Sequence, residues 1–316
     1  RNGDRLMSDL ILHHYPQSPV AQKIRVALGI ALADWHSVEI PRLPPKPLLM
    51  PLTANYRRVP VLQIGADIHC DSQNIIRAIA SAGHANTLFP DGCVGQAMAL
   101  AGWAETAMFD LAVRIVITSA IGTAPPEFIA DRGALYFEPD WTEAGMKVAL
   151  PAVILQLQAH LAWTDDMLSA TGFAIGSKLS YADAAIAYIA WFLRGRWDGG
   201  AALLAPFSHI CALEEMLVGR GNGNTTEMTA EAALAHANAH EPATPTGIVA
   251  GFDAGLQLGQ QIMLRQRGQT ADPDVYGRLR YLDDTRISID HTSPETGAVA
   301  VHFPIAGYVV SAAAPL

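Results

Sequence analysis

The chain has 316 residues, half of them hydrophobic and 16% charged, with a formal net charge of −9. At about 150 residues per domain, this length implies two or three domains with ample core, and an acidic balance without Lys/Arg runs excludes a nucleic-acid-binding surface. Three cysteines, Cys70, Cys93 and Cys211, are too few and too scattered for a disulfide framework or a zinc pattern, so they read as free thiols in a reducing, cytoplasmic setting. No stretch is long and apolar enough to suggest a membrane span. The opening RNGDRLMSDL lacks the apolar core of a signal peptide, and Met7 is a candidate native start.

The first region, 8–90, alternates strand and helix signals. Leu10–His14 is an apolar strand, and Pro19–Ala33 carries apolar residues at helical spacing. Trp35–Ile40 reads as a short strand, followed by PRLPPKPLLMP, whose prolines prevent regular pairing. Val59–Ile64 and Ala66–Cys70 flank Gly65 and read as a hairpin. Ser72–Ala82 is a helix ended by Gly83. The order is βαβ, then ββα.

The second region, 92–240, shows no convincing strand. Apolar residues recur at helical spacing in 93–121 and 144–170. At LSYADAAIAYIAWFL, Ser180 and Asp183 form a capping-box pattern ahead of a helix apolar on nearly every side, so this helix is expected to be buried. The EPATPTG stretch reads as a linker. The third region, 244–316, alternates with period two at Val275, Leu279 and Tyr281, at Ile287 and Ile289, and at Val299, Val301, Phe303 and Ile305. Half-buried strands fit that pattern, with TSPETG (292–297) as a turn, and the sum is a small β-barrel or curled sheet.

Several side chains invite a functional reading. Ser18 stands where the first strand turns into the first helix, with Pro19 at the first helical position. Both residues are favoured there as a plain helix start. The same geometry also stabilises an anion, because a helix N-terminus presents free N–H groups and a partial positive charge. A hydroxyl there can donate to a thiolate, and lowering a thiol pKa by two units needs only about 2.7 kcal/mol. Asp71 and Ser72 open a second helix, suited to a charged ligand end. His236 and His240 have metal-ligand spacing, but no internal Glu stands between them, and no metal is expected. His291 and His302 read as ordinary surface histidines on neighbouring strands. One of His13 and His14 is a candidate to face a cleft. Cys70 reads as a buried structural thiol.

The order S-P-x-x-x-K-[IV]-R (Ser18 to Arg25), V-P-V-L (Val59 to Leu62), then an acid–serine pair (Asp71, Ser72) before an apolar helix resembles the glutathione transferase superfamily. The SYAD helix start resembles that family's C-terminal domain, and the likeness covers about 8–220. The stretch LTANYRRVPVLQIGADIHCDSQNII resembles a microbial branch with a C-terminal extension. The resemblance implies an α/β thioredoxin-like N-terminal domain (8–90) that binds glutathione and an all-α C-terminal-like domain (92–240). The small all-β, barrel-like domain (244–316) stands outside it, with no role assigned.

Carried over residue by residue, the resemblance sets Ser18 facing the glutathione sulfur, with Tyr15 as a competing hydroxyl. It implies a cis bond at Val59–Pro60, a pair that holds the cysteinyl backbone, and Asp71 and Ser72 at the γ-glutamyl end. The family usually has Glu where Asp71 stands. Lys46 is a candidate partner for the glycyl carboxylate. Trp103, Phe109 and Arg114 lie on a helix that walls the family's hydrophobic-substrate pocket, although packing between helices explains the two aromatics equally well. Serine in place of cysteine argues against a mixed disulfide and for thiolate activation. The expectation is therefore an enzyme that uses glutathione as cosubstrate against a small apolar electrophile, and a homodimer. The competing expectation is a non-catalytic glutathione- or ligand-binding scaffold, which the additional β region favours.

Overall fold

A computed structural model describes residues 9–268 and 272–313; Met7 lies outside them. In chain order the elements are β1 (Leu10–His14), α1 (Pro19–Ala31), β2 (Asp34–Glu39), α2 (Met50–Thr53), β3 (Val61–Ile64), β4 (Asp67–Cys70) and α3 (Ser72–Ile79). Helices α4 (Ala85–Leu88), α5 (Val94–Trp103), α6 (Asp110–Ser119), α7 (Pro126–Tyr136), α8 (Glu143–Leu168), α9 (Tyr181–Arg196), α10 (Gly200–Leu204) and α11 (Ser208–Arg220) follow. The chain continues with β5 (Asn224–Glu227), α12 (Ala230–Asn238), β6 (Gly247–Ile248), β7 (Gln261–Gln266), β8 (Val275–Leu282), β9 (Arg286–Ser293), β10 (Gly297–Pro304) and β11 (Tyr308–Ala312). These elements match the expected classes: a thioredoxin-like βαβ–ββα start, a helical middle and a C-terminal run of strands.

The chain forms two compact units. One takes in the described residues up to Ala21, Asp34–Gly83 and those from Asn224 onward; the other takes in Gln22–Ala33 and His84–Gly223. The first unit is built on one sheet with strand order β11-β7-β8-β9-β10-β4-β3-β1-β2-β5, and β6 pairs beside β8. Within it β1 runs parallel to β2 and antiparallel to β3, and β3 is antiparallel to β4.

The C-terminal strands are joined edge-on to this sheet. β10 pairs in parallel with β4, matching Ala300 to Asp67, Val301 to Ile68 and His302 to His69. Where a small barrel or a curled sheet is expected, the described strands continue one sheet: β11 pairs with β7 at one end, and β10 passes on to β4 at the other. A single apolar cluster runs through both parts, from Ile11, Val38 and Ile68 to Leu279, Ile289, Val301 and Phe303. The described residues from 244 onward therefore share a core with the thioredoxin-like strands, although the sequence reads as a separate domain there. β10 is not half-buried as its alternation predicts. Val299 to Pro304 are buried on both faces, as in a central strand.

Two local expectations are also corrected. β5 lies in the stretch read as strand-free; all four of its residues are exposed, so no hydrophobic alternation marks it, and parallel pairing with β2 alone defines it. The EPATPTG linker is anchored, because the Ala243 and Thr244 amides donate to Asp67 at 2.7 and 3.2 Å.

In the second unit α9 is buried along nearly its whole length, as its composition predicts. Its start is the expected box: Asp183 Oδ2 accepts from the Ser180 amide at 2.7 Å and from the Ser180 hydroxyl at 3.0 Å. Asp183 Oδ1 also accepts from the Ala174 amide at 2.7 Å, which ties the preceding loop to the same carboxylate. Lys23 on α1 is fully buried; it pairs with Glu105 at 3.2 Å and lies 5.3 Å from the Tyr188 ring centroid. The resemblance motif contains this lysine, and here it anchors the unit's core.

Candidate functional site

Ser18 caps α1. Its Oγ accepts from the Ala21 amide at 3.2 Å, and its own amide donates to the Tyr15 carbonyl at 3.1 Å. The cap uses an oxygen lone pair and leaves the hydroxyl proton unspent by that bond. Ser18 is only 2% exposed. Tyr15 is buried beside it, with the Lys46 ammonium 5.8 Å from its ring centroid.

The Val59–Pro60 bond is cis, as the resemblance implies. Lys46 Nζ donates to the Arg57 carbonyl at 2.9 Å, so this lysine ties the proline-rich loop to the segment just before the cis bond. Asp71 caps α3 by accepting from the Gln73 amide at 2.9 Å. Its φ of 69° with ψ of 140° is a region that non-glycine residues avoid, at a cost of about 1–3 kcal/mol; such outliers cluster at functional sites. Ser72 follows it and is buried. Cys70, the last residue of β4, is wholly buried, and burial pushes its thiol pKa well up, which suits a structural thiol.

The candidate histidines are engaged elsewhere. His13 Nε2 is 3.0 Å from Gln63 Oε1, and burial lowers its pKa to about 4 against that hydrogen bond. His14 Nε2 meets the Ser37 hydroxyl at 2.8 Å. His236 and His240 stack with centroids 4.3 Å apart; among the described residues no group of three His, Cys, Asp or Glu side chains is arranged to hold a metal ion. In the second unit Phe109 packs against Tyr136, Tyr188 and Phe192, and Arg114 pairs with Asp110 and Glu138. Trp103 stacks edge-on with His160.

His302 departs most from its sequence reading. It is wholly buried, not a surface residue, because its partners come from distant strands: Nε2 lies 2.9 Å from Asp67 Oδ1 on β4, and Nδ1 lies 2.6 Å from the Ser288 hydroxyl on β9.

Contacts from the C-terminal part of the chain reach Asp71 and sequence neighbours of the candidate glutathione residues. Tyr308 donates to Asp71 Oδ2 at 3.4 Å, Gln73 Nε2 donates to the Ala306 carbonyl at 3.4 Å, and Asp272 accepts from both Arg57, at 2.9 Å, and Arg58. Arg57 and Arg58 were not singled out from sequence. The RR pair before V-P-V-L was the available signal, but its partner stands over 200 positions away.

Residues 12–86 match the glutathione S-transferase N-terminal domain family. A solved GST-like protein from Pseudomonas syringae is 29% identical with a TM-score of 0.72, over 97% of this chain and all of that one. Residues 12–86 form a glutathione S-transferase N-terminal domain. The likeness to the Pseudomonas syringae protein takes in the C-terminal strands as well as the shared two-part fold. A glutathione S-transferase from Methylobacillus flagellatus, solved with glutathione bound, is 15% identical with a TM-score of 0.50 over 67% of this chain and 99% of its own. A glutathione S-transferase III in apo form is 20% identical with the same TM-score, over 67% of this chain and 92% of its own. These two show a common fold. No curated protein matches the chain. Among the described residues, no helix is long and apolar enough to cross a membrane.

Proposed function

We propose that this protein binds glutathione through its thioredoxin-like strands and lowers the pKa of the thiol with Ser18. The observation that carries the reading is the cap at Ser18, whose oxygen accepts from Ala21 while its proton stays available to a sulfur at the positive end of α1. Val59 and Pro60 hold the cysteinyl backbone in this reading, and Asp71 and Ser72 take the γ-glutamyl end. Lys46 serves the glycyl carboxylate, with one of its three ammonium donors directed at the Arg57 carbonyl. The thiolate then attacks a small apolar electrophile: the sulfur supplies the electron pair, the leaving group departs with its own, and the thiol proton has already gone to solvent. Positioning and ionisation supply the catalysis.

By resemblance, the working form is a homodimer. The test is turnover of electrophilic substrates with glutathione in wild type, Ser18→Ala and Tyr15→Phe. Loss in Ser18→Ala alone supports the assignment; loss in Tyr15→Phe alone moves the role to Tyr15.

A second reading has its own observation. The Tyr308 and Asp272 contacts engage Asp71, Arg57 and Arg58 within the chain itself. A scaffold that keeps the fold and binds glutathione without turnover fits that cover. Binding without turnover against several electrophile classes favours it.

A further inference from the structure

The junction between β4 and β10 has a polar face. Along β4, Ile68 and Cys70 enter the apolar cluster, so the alternation of a strand sends Asp67 and His69 to the opposite side, where α3 packs. On β10, Val301 and Phe303 enter the cluster and His302 takes the α3 side beside His69, the two rings stacked with centroids 4.6 Å apart. A cavity of about 440 Å³ opens on this side, walled by the second half of α3, the β3–β4 hairpin and the β8–β9 turn. Small-molecule sites have this size. Without the C-terminal strands one wall is missing, so the cavity belongs to the extended sheet.

The charges in its lining are unevenly used. Asp67 has its oxygens filled by His302 and the Ala243 and Thr244 amides. Burial works against its ionised form, but these bonds hold the carboxyl below its usual range. Asp283 accepts from the Thr285 amide, the Thr285 hydroxyl and the Arg286 amide, all at 2.8–2.9 Å. The arginines are different. Arg57, Arg58, Arg265 and Arg280 of this unit each pair with a carboxylate. Arg77 and Arg286 line the cavity, yet neither guanidinium is within ion-pairing distance of a carboxylate among the described residues. Arg286 rests 4.7 Å from the Tyr281 ring centroid, which orients it, and its charge helps to hold the Asp283 carboxyl below its usual range without a direct ion pair. His69 also lines the cavity. Burial and the neighbouring His302 keep its ring neutral, and Asn74 Nδ2 lies 3.5 Å from its Nδ1. With Nδ1 accepting from that amide, Nε2 carries the proton and is a donor.

The Ser288–His302–Asp67 chain of hydrogen bonds resembles a nucleophile relay, but Ser288 and His302 are wholly buried. It is a frame that holds β4, β9 and β10 together behind the cavity, not a source of attack.

We propose that this cavity is a binding site for the oxyanion of a small molecule, a carboxylate or a phosphate, held by the Arg77 and Arg286 guanidinia with His69 as a neutral donor. Planar guanidinium forks match both groups. The site is independent of the glutathione reading, since Ser18 and Tyr15 take no part in it.

The test is calorimetric titration of the full chain with inorganic phosphate and, separately, with succinate, at matched ionic strength. Arg77→Gln and Arg286→Gln are compared with Lys147→Gln, which makes the same charge change on α8. We expect one site for at least one anion, with affinity falling about tenfold or more in each arginine variant and unchanged in Lys147→Gln and in Ser18→Ala. Binding of phosphate only, or succinate only, identifies the group. Where a glutamine variant does not fold, Arg77→Lys, which keeps the charge and loses the fork, is expected to bind more weakly than wild type. No binding of either anion up to about 10 mM, weaker than the contacts predict, overturns the proposal. So does wild-type affinity in every arginine variant that folds.

Discussion

The Tyr308 hydroxyl donates to Asp71 Oδ2 at 3.4 Å, so the last strand of the C-terminal sheet reaches the carboxylate that caps α3. Asp71 is the residue proposed for the γ-glutamyl end, and both of its oxygens are shared with the protein itself, Oδ1 with the Gln73 amide and Oδ2 with Tyr308. Removing this donor takes away one of the protein's own claims on that carboxylate. Tyr308→Phe, which keeps the ring packed on Phe303, is expected to tighten glutathione binding about threefold, the scale of a long neutral-donor hydrogen bond. Calorimetry reads this directly. Weaker binding in the variant makes Tyr308 part of the site and not a competitor for it.

Asp183 carries the second unit's best-defined cap. It is wholly buried and accepts from Ser180 and Ala174, and burial raises its pKa against those bonds. Asp183→Ala strands two buried amides, at about 1–3 kcal/mol each before relaxation. Urea unfolding should show a loss of about 3 kcal/mol, with little change in m-value. A loss below about 0.5 kcal/mol contradicts the cap's role, being the size of an ordinary surface substitution.

Lys23 and Glu105 form a pair in which only the lysine is fully buried. Glu105→Gln leaves the ammonium without its countercharge and should cost about 2 kcal/mol, whereas Lys23→Met removes the buried charge altogether and should cost less. Thermal melts of the two variants give the order; the reverse order contradicts the account.

The buried histidines make the fold sensitive to acid. His13 has its pKa lowered from 6.5 to about 4 by burial, and His69 and His302 are lowered in the same direction. Between those values the unfolded chain binds a proton at His13 that the folded chain excludes. Stability is therefore complete above about pH 6.5 and falls as the pH drops toward 4, by about 3 kcal/mol from His13 alone. Urea midpoints measured from pH 7.5 to 4.5 should fall steadily, and His13→Gln should flatten the slope. An unchanged slope in that variant contradicts the assignment to His13.

The legible parts of this chain were those written in local signals. β1, the hairpin around Gly65, the Ser18 and Asp71 helix starts and the Ser180–Asp183 box all depend on residues within a few positions of each other, and each is where its pattern predicts. What was hidden depends on pairing across the chain. Val299, Val301 and Phe303 alternate with Ala300 and His302, which reads as a strand with one wet face. Only the partner β4 turns that face inward, where Asp67 and Ser288 satisfy His302. The D-I-H alternation of β4 carried the matching half of this signal, with two polar side chains on one face of a strand otherwise apolar. The ties from Tyr308 to Asp71 and from Asp272 to Arg57 and Arg58 have the same character.

The central claim is that Ser18 ionises bound glutathione. The measurement is ultraviolet thiolate absorbance of the glutathione complex against pH, in wild type and Ser18→Ala, with calorimetry to show that both bind. The account predicts ionisation near neutral pH in wild type, about two pH units below free glutathione. In Ser18→Ala the affinity should hold while the ionisation moves back toward that of the free thiol. Equal ionisation in both proteins would remove Ser18 from the chemistry and leave it a helix cap. Failure of wild type to bind glutathione contradicts the account at its base.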